Sequence, residues 1–309
     1  SMGRYIEAEK TYNESIDISK KTRGELHPEH ATLLHNIALL YIEIALYEKA
    51  EVAALQAVAI MEAAYGTEDP SIIYPCIVLA RVYKGREDFK SAELFILRAK
   101  KLAEMHFDAN HPNYLSTAYE LAILYYELGS YDKAEPLYLM VSEQYADLYG
   151  KQHRQYVSTL NSLGAFYTAK MLYAKDTIEF GIYSEEAERC YTEILQIDSA
   201  VNDLEGQDFA LHLSNTAEMY RLKGNYTFAE QLQLNAIDIL IELFGEEHKD
   251  LGVNYNNLAL LYDNMGAREK SIAYYGKSIY IKEKHFGKKS VSLANSYVNL
   301  ASLLGEEGD

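Results

Sequence analysis

The chain has 309 residues, 49% of them hydrophobic, and carries 46 acidic against 29 basic side chains, a formal net charge of −17. With only 17 glycines and 5 prolines, this composition excludes a disordered or collagen-like chain. The negative charge repels phosphate backbones and anionic lipids, so it argues against nucleic acid and membrane surfaces as partners and favours a basic segment of another protein.

The cysteines and the absence of sorting signals predict the compartment. Cys76 and Cys190 lie in apolar stretches with helical spacing, which predicts buried, reduced thiols and an intracellular, cytoplasmic protein. No apolar run reaches the roughly 20 residues needed to cross a bilayer, and no signal peptide is visible. Ser1 precedes Met2, which is typical of a cloned segment, so we expect the chain to be a fragment of a longer protein.

A repeat of 42 residues runs along the chain. Its clearest mark is a small residue at the centre of successive apolar runs, at intervals of 42, 42, 42, 53, 42 and 42 residues. These central small residues are Ala38, Ala80, Ala122, Gly164, Ala217, Ala259 and Ala301. A tyrosine follows three residues later in every unit except the last, and a second small residue, usually followed by glutamate, marks another apolar run. We interpret these glutamates as a solvated helix surface.

Each unit is predicted to form two antiparallel helices, a first helix and a second helix. Apolar residues at i, i+3, i+4 and i+7 define the first helix, and glycines such as Gly129 end it. A turn containing a second glycine and, in three places, a proline separates one unit from the next. In chain order we predict a lone second helix over residues 4–22, six full units, and a lone first helix over residues 291–304. The full units are residues 29–70, 71–112, 113–154, 155–207, 208–250 and 251–290.

The pattern resembles that of a known family. The residues Leu34, Ile37, Ala38, Tyr41, Tyr47 and Ala50 are arranged as in the tetratricopeptide repeat, whose usual period is about 34 residues. The longer period, the turn Gly24-Glu25-Leu26-His27-Pro28 and the helix Asn256–Tyr262 resemble the repeats of kinesin light chains. The resemblance implies an all-α fold, a right-handed superhelical α-solenoid of stacked antiparallel helix pairs that forms a single domain over residues 1–309.

The same resemblance implies that the first helices line a concave groove that holds a peptide. Side chains two and three residues before the central small residue are expected to face this groove. Several are asparagines, whose amides can both donate to and accept from an extended backbone. Alternatively, some of these asparagines brace neighbouring helices. The predicted groove residues are His35, Asn36, Tyr74, Ile77, Arg81, Lys84, Tyr119, Glu120, Asn161, Asn215, Arg221, Asn256, Asn257 and Asn299.

The middle of the predicted groove is apolar and aromatic, around Tyr74, Ile77 and Tyr119. Kinesin light chains use asparagines with nearby basic residues to hold acidic, aromatic cargo motifs. Basic groove residues are few in this chain, namely Arg81, Lys84 and Arg221. We therefore expect the apolar side chains here to contribute the specificity.

The fourth unit is irregular, because its interval of 53 residues exceeds the period of 42 by 11. The extra residues fall within 170–186, in the predicted turn between the two helices, and include Ile178, Phe180, Ile182 and Tyr183. Two alternatives remain open. This apolar surface is either an accessory partner or lid site or part of an extended helix hairpin that folds back onto its neighbours.

The leading functional hypothesis is a non-catalytic adaptor that binds a peptide or a helix of another protein. The resemblance implies a cytoskeletal motor or cargo complex as a partner. The alternatives are a structural segment of a longer scaffold and the regulatory sensor arm of a larger enzyme. No nucleophile–base arrangement is visible, and His27, His111, His153 and His248 occupy equivalent turns, so we predict no catalytic residue, cofactor or metal site. The interrupted repeats at both ends predict end-to-end self-association.

Overall fold

The structure, a computed structural model, describes residues 2–201, 205–287 and 293–305. These residues form fourteen α-helices and one turn of 3-10 helix at Pro70–Ile72, and the predicted all-α class is confirmed. The helices of the first half are α1 (Met2–Arg23), α2 (Pro28–Glu43), α3 (Tyr47–Tyr65), α4 (Ile73–Gly85), α5 (Phe89–His106), α6 (Pro112–Glu127), α7 (Tyr131–Tyr149) and α8 (Arg154–Leu172). Those of the second half are α9 (Thr177–Val201), α10 (Gln207–Leu222), α11 (Tyr226–Phe244), α12 (Leu251–Asn264), α13 (Arg268–Phe286) and α14 (Ala294–Gly305).

The chain divides into two compact units, residues 1–159 (unit 1) and residues 160–309 (unit 2), and the division falls inside α8. The predicted lone second helix is α1, and the predicted lone first helix is α14. The predicted repeat boundary between residues 290 and 291, and residues 202–204 of the predicted unit 155–207, lie outside the described residues. None of the helices that are described is both long and apolar enough to span a membrane.

Helix ends follow the turn residues of the repeat. Gly129 and Gly245, which follow a first and a second helix, have φ values of 67° and 84°, a region that side chains with a Cβ rarely adopt. Ala45 and Glu87 occupy the position equivalent to Gly129 in two other repeats and have φ values of 55° and 61°. The turn geometry is therefore kept in those repeats without glycine.

Within each unit the first helices form a layer of their own. In unit 1, α2 contacts α4 and α4 contacts α6, while in unit 2, α10 contacts α12 and α12 contacts α14. No contact joins successive second helices in the described part of either unit. The second helices α3, α5, α11 and α13 each pack between the first helix of their own repeat and that of the next. Any surface on the exposed side of the first helices is consequently shared by neighbouring repeats.

The central small residues allow the two helices of a repeat to approach closely. Ala38 and Ala122 are completely buried. A Cβ placed on Gly164 would lie 2.9 Å from ring atoms of Tyr191 and 3.3 Å from Cβ of Cys190 on the facing helix. Even alanine is too large at that position, because the tyrosine ring already fills the space.

Tyrosines and glutamates join consecutive repeats. Tyr83 on α4 donates a hydrogen bond to the Glu51 carboxylate of the preceding second helix at 2.6 Å. The same contact recurs, always between residues 32 apart, at 3.0, 2.8 and 2.7 Å. We call the tyrosines the junction tyrosines and the glutamates the junction glutamates, and the pairs are Tyr41–Glu9, Tyr83–Glu51, Tyr220–Glu188 and Tyr262–Glu230.

The interpretation of these glutamates as a solvated surface is therefore wrong for four of them. Each junction glutamate also pairs with a basic side chain, as Glu188 does with Lys223 at 2.6 Å. The bonds from Lys223 and Tyr220 lower the pKa of Glu188. The pKa of Tyr83 is raised to about 12, mainly by burial and secondarily by its hydrogen bond to Glu51. The contacts thus favour ionised glutamate and neutral tyrosine near neutral pH.

The insertion lengthens two helices rather than the loop between them. The helices α8 and α9 continue to Leu172 and from Thr177, which leaves only residues 173–176 between them. Phe180 and Tyr183 are partly buried, and Tyr183 lies under the Lys170 ammonium at 4.2 Å. Ile178 and Ile182 remain 73% and 54% exposed. The insertion is therefore an extended helix hairpin that folds back only part of its apolar surface.

Candidate functional site

A cavity of about 350 Å³ lies on the first-helix layer of unit 1. Its walls come from α2, α4, α6, the beginning of α8, and one side chain of α7. Six predicted groove residues line it: His35, Tyr74, Ile77, Arg81, Tyr119 and Glu120. The remaining lining residues are Leu39, Val78, Ser116, Tyr145, Gln155, Ser158 and Thr159. The repeat spacing thus brings together side chains that are separated by more than 80 positions in the sequence.

Aromatic rings form much of this wall, and neighbouring polar groups hold them in place. The Tyr74 hydroxyl donates a hydrogen bond to the Asn113 amide oxygen at 2.8 Å. The Tyr119 hydroxyl lies 3.3 Å from the Ser158 hydroxyl. With these hydroxyls occupied, the ring faces supply mainly apolar contact to the cavity.

One ion pair crosses the cavity wall. Arg81 donates to Glu120, with Nε 2.9 Å from Oε1, and Glu120 is buried. Burial alone would lower the pKa of Arg81, but the Glu120 carboxylate raises it above its ordinary value. Lys84, another predicted basic residue, pairs with Glu127 at 3.1 Å and does not line the cavity. Both cations are already neutralised within the protein, so they offer little attraction to an acidic peptide.

His35 lines the cavity and contains a ring nitrogen without a hydrogen-bond partner. Its Nδ1 atom is buried and has no partner among the residues that the structure describes. The pKa of His35 is lowered, mainly by burial and secondarily by the charge of Arg81, so the ring is neutral near pH 7. A buried polar atom without a partner costs about 1–3 kcal/mol.

A second cavity, of about 250 Å³, lies between α10 and α12 in unit 2. Of the predicted groove residues, Asn215 and Asn257 line it. The Asn215 amide donates to the Asn161 amide oxygen at 3.0 Å, so Asn161 supports the cavity without lining it.

Other predicted groove residues serve to hold helices together. Asn256 is buried and accepts a hydrogen bond from Ser296 of α14 at 2.9 Å. Arg221 donates to Glu218 at 2.6 and 2.8 Å and to an asparagine of α12. Asn36 and Asn299 are partly buried and line neither cavity. Bracing, the alternative reading of the asparagines, therefore describes Asn256 well.

Sequence reasoning missed several lining residues. In unit 2 these include Asp208 and Asp250, each nine residues before a central small residue (217 − 9 and 259 − 9). In unit 1 they include Ser116 and Ser158, each six residues before one (122 − 6 and 164 − 6). Side chains six and nine residues before the small residue lie on the same helix face as the side chain two residues before it. The separations of four and seven residues correspond to about one and two helical turns. Extending the predicted face along each first helix would have found them.

Two further polar clusters are buried in unit 2. Lys282 donates to the Ser296 hydroxyl at 2.9 Å, and burial lowers the pKa of this lysine. His212 and Asp198 lie 2.8 Å apart and join α10 to α9. In the described part of the chain, no three histidine, cysteine or carboxylate side chains are placed to hold a metal ion.

The predicted turn histidines stabilise helix ends. His111 accepts a hydrogen bond from the Asn113 backbone at 3.1 Å, at the beginning of α6, and stacks on Phe107 with ring centroids 4.0 Å apart. His153 stacks on Tyr149 and His248 stacks on Phe244 in the same way, at 4.4 and 4.3 Å.

Comparisons with known proteins agree with this architecture. A tetratricopeptide repeat family model matches residues 1–63, 113–170 and 208–284. Among curated protein sequences, none matches the chain significantly. The fold is similar to the nearly identical TPR-like repeats assigned to a kinesin light chain of Podosopora anserina, at 20% identity and a TM-score of 0.55, over 71% of this chain and 98% of that one.

Two other similar folds belong to a Rap protein and to NprR. The Rap protein, solved in complex with Competence and Sporulation Factor, is 16% identical with a TM-score of 0.64, over 92% of this chain and 71% of that one. The apo form of the quorum sensor NprR from B. thuringiensis is 15% identical with a TM-score of 0.55, over 99% and 95%. The family match covers well over half of the sequence. The chain therefore belongs to the tetratricopeptide repeat family.

Proposed function

We propose that the chain is a non-catalytic interaction module that binds a peptide or helix of another protein on its first-helix layer. The observation that carries the proposal is the unit 1 cavity, where six predicted groove residues from three repeats line one concave surface. Its volume of about 350 Å³ is within the range of about 300–1,000 Å³ that is common for ligand sites.

The chemistry of the cavity favours an apolar or aromatic side chain as the anchor of the ligand. Tyr74, Ile77 and Tyr119 offer apolar contact, while the Arg81–Glu120 pair leaves no excess charge. His35 adds a neutral ring to the same wall. A mainly apolar wall of this kind is typical of peptide anchor pockets.

Structurally similar proteins support peptide or protein recognition in general terms. The Rap structure contains a bound Competence and Sporulation Factor, and NprR is described as a quorum sensor. The P. anserina repeats lend some support to a narrower version, an adaptor in a cytoskeletal motor or cargo complex. The paired state of Arg81 and Lys84 favours ligands other than acidic motifs.

The tip of the α8–α9 hairpin supports a second, accessory contact surface. Ile178 and Ile182 are exposed there beside Leu172 and Tyr173, which are 61% and 70% exposed. Four large exposed apolar side chains near one hairpin tip exceed what a solvated hairpin needs. This surface would suit the alternative role of a scaffold segment that docks through its outer side.

The proposal can be tested by selecting ligands from a displayed library of random dodecapeptides with the intact chain. The enriched peptides are then synthesised with a fluorophore, and their Kd is measured by fluorescence polarisation. Tyr74→Ala and Tyr119→Ala should each raise the Kd about tenfold or more, because each removes part of an aromatic wall.

Tyr65→Ala is the matched control, since Tyr65 is 55% exposed, close to the 43% of Tyr74, and lines neither cavity. This variant should bind like the wild type. Failure to enrich any peptide, or equal binding by all three variants, would contradict recognition in the unit 1 cavity. Far-UV circular dichroism shows whether the variants are equally helical.

A further inference from the structure

The unit 2 cavity differs from the unit 1 cavity in the charge of its walls. Asp208 and Asp250 line it, and no lysine or arginine does. They occupy the same position in consecutive repeats, nine residues before Ala217 and Ala259. In unit 1 the corresponding residues include the uncharged Asn113 and Gln155 (122 − 9 and 164 − 9) and also Glu29 (38 − 9), which pairs with Arg23. In unit 2, the two carboxylates stand one repeat apart at the beginning of α10 and just before α12.

Neither carboxylate is neutralised by a neighbouring cation that the structure describes. Asp208 is exposed and has no ion-pair partner within the described residues. Asp250 accepts a hydrogen bond from the Gln207 amide at 2.8 Å. His248 Nδ1 lies 3.8 Å from Asp250, but burial lowers the pKa of this histidine, so its ring is neutral near pH 7.

The amides beside the carboxylates add further acceptors to the cavity. The Asn215 NH₂ group is bonded to Asn161, and the Asn257 NH₂ group lies 3.5 Å from the Ser214 hydroxyl. Their amide oxygens carry no hydrogen bond within the described part of the chain. Beneath them, Gln233 donates to the Asn254 oxygen at 2.7 Å, and this buried contact holds the floor in place. The acceptors left for a ligand are therefore carboxylate and amide oxygens, and each asparagine amide keeps one further N–H.

We propose that this cavity receives a cationic side chain of a bound peptide, for which arginine is the best match. The inference rests on the proposed function, because it assigns a subsite on the first-helix layer of unit 2. A guanidinium carries five N–H donors and a permanent positive charge, and its methylene stem can pack on Leu211 and Val253 at the cavity wall. The net charge of −17 adds long-range attraction for a basic segment.

Other side chains fit these walls poorly. An acidic side chain would be repelled by Asp208 and Asp250. A wholly apolar one would shield the acceptors from water without supplying any donor, which costs free energy for each acceptor that is buried. A cationic side chain is the one class that satisfies both the charge and the hydrogen bonds.

The test uses the same dodecapeptide library, selected in parallel on the wild type and on the double variant Asp208→Asn/Asp250→Asn. Asparagine keeps the shape of each side chain and removes two charges. The matched control is Asp238→Asn/Asp263→Asn, which removes two charges from exposed residues of unit 2 that do not line the cavity. We expect a fixed arginine or lysine position in peptides selected by the wild type and by the control, and its loss in peptides selected by the cavity variant.

Affinities of one consensus peptide then give the size of the effect. The cavity variant should raise its Kd on the order of tenfold, while the control changes it by less than about twofold. Replacing the basic residue of the peptide by norleucine should abolish the difference between wild type and cavity variant.

The possible results separate this inference from the proposed function. Enriched peptides that show no basic preference, or a preference unchanged by Asp208→Asn/Asp250→Asn, overturn the inference and leave binding in the unit 1 cavity intact. If no peptide is enriched by the wild type, the proposed function fails and the subsite fails with it.

Discussion

The contact between Tyr83 and Glu51 makes a measurable prediction about how repeats are joined. Tyr83→Phe removes only the hydroxyl that donates to Glu51 at 2.6 Å, while the ring can still stack on Phe95 at a centroid distance of 5.5 Å. Hydrogen bonds to charged groups contribute about 1.5–3 kcal/mol when buried. The Glu51 side chain is 25% exposed and keeps its ion pair with Arg86, so we expect a loss of about 1–1.5 kcal/mol of unfolding free energy.

A double-mutant cycle with Glu51→Gln isolates this interaction. Unfolding free energies of the wild type, both single variants and the double variant are measured by urea denaturation with far-UV circular dichroism. Hydrogen exchange in α3 and α4 locates the effect, because a repeat protein need not unfold as one unit. Tyr65→Phe, at a 55% exposed side chain, should change stability by less than about 0.5 kcal/mol. A coupling energy between Tyr83 and Glu51 indistinguishable from zero would refute the joining role of the pair.

Three further outcomes are expected. Burial and Glu51 raise the pKa of Tyr83 from 10.0 to about 12, so the stability that its neutral form contributes is fully present below pH 10 and is lost as the pH rises through 12. The Tm measured by circular dichroism should therefore fall over this interval, and less steeply in Tyr83→Phe. Gly164→Ala should destabilise by about 1–2 kcal/mol despite the better helix propensity of alanine, because its Cβ meets a buried tyrosine ring at 2.9 Å. Gly276→Ala should stabilise the protein by up to about 1 kcal/mol, because nothing lies within 4 Å of the new Cβ. Urea denaturation measures both glycine variants, and equal changes in their unfolding free energies would contradict the steric argument. Ile178→Ser and Ile182→Ser should each change the unfolding free energy by less than about 0.5 kcal/mol, since both side chains are mostly exposed, and a loss above 1 kcal/mol would mean that they pack inside the protein.

Much of the fold could be predicted because local patterns and packing requirements coincide. The spacing of Ala38 and Ala122 marks where paired helices meet, and both side chains are completely buried in the structure. Gly129 and Gly245 mark the turns, because their positive φ values are costly for residues with a Cβ. Each of these signals lies within one repeat, and repetition along the chain makes it recognisable.

Contacts between repeats were harder to predict. The glutamate of each junction pair lies on the exposed side of its own helix, and only the tyrosine 32 residues later, contributed by the next repeat, covers it. Glu51 and Glu188 therefore look like solvated residues when one repeat is considered alone. Similarly, the composition of 170–186 did not decide between a partner or lid site and a helix hairpin that folds back onto its neighbours, because the outcome depends on how far α8 and α9 continue.

In the candidate site, too, features set within one repeat were predictable and contacts between repeats were not. Asn256 and Asn257 are adjacent, yet a rotation of about 100° per residue turns one toward α14 and the other toward the cavity. Arg81 was expected to supply positive charge, but Glu120, at the neighbouring repeat, neutralises it. Which face of a first helix is exposed follows from the repeat, whereas its charge depends on pairs formed between repeats.

The two cavities show that lining residues can differ between repeats that share the same core positions. Both are built from equivalent positions of the repeat, and both keep the small residues and buried aromatic side chains that the fold requires. The exposed positions two to nine residues before the small residue can vary with little effect on stability, because they pack on few neighbours. The repeat position that holds Asn113 and Gln155 in unit 1 therefore holds Asp208 and Asp250 in unit 2, while the helices remain in register. Under the proposed function, exposed lining residues such as Asp208 contribute to ligand preference and can change with little effect on stability, whereas buried lining residues such as Ile77 and Glu120 contribute to both.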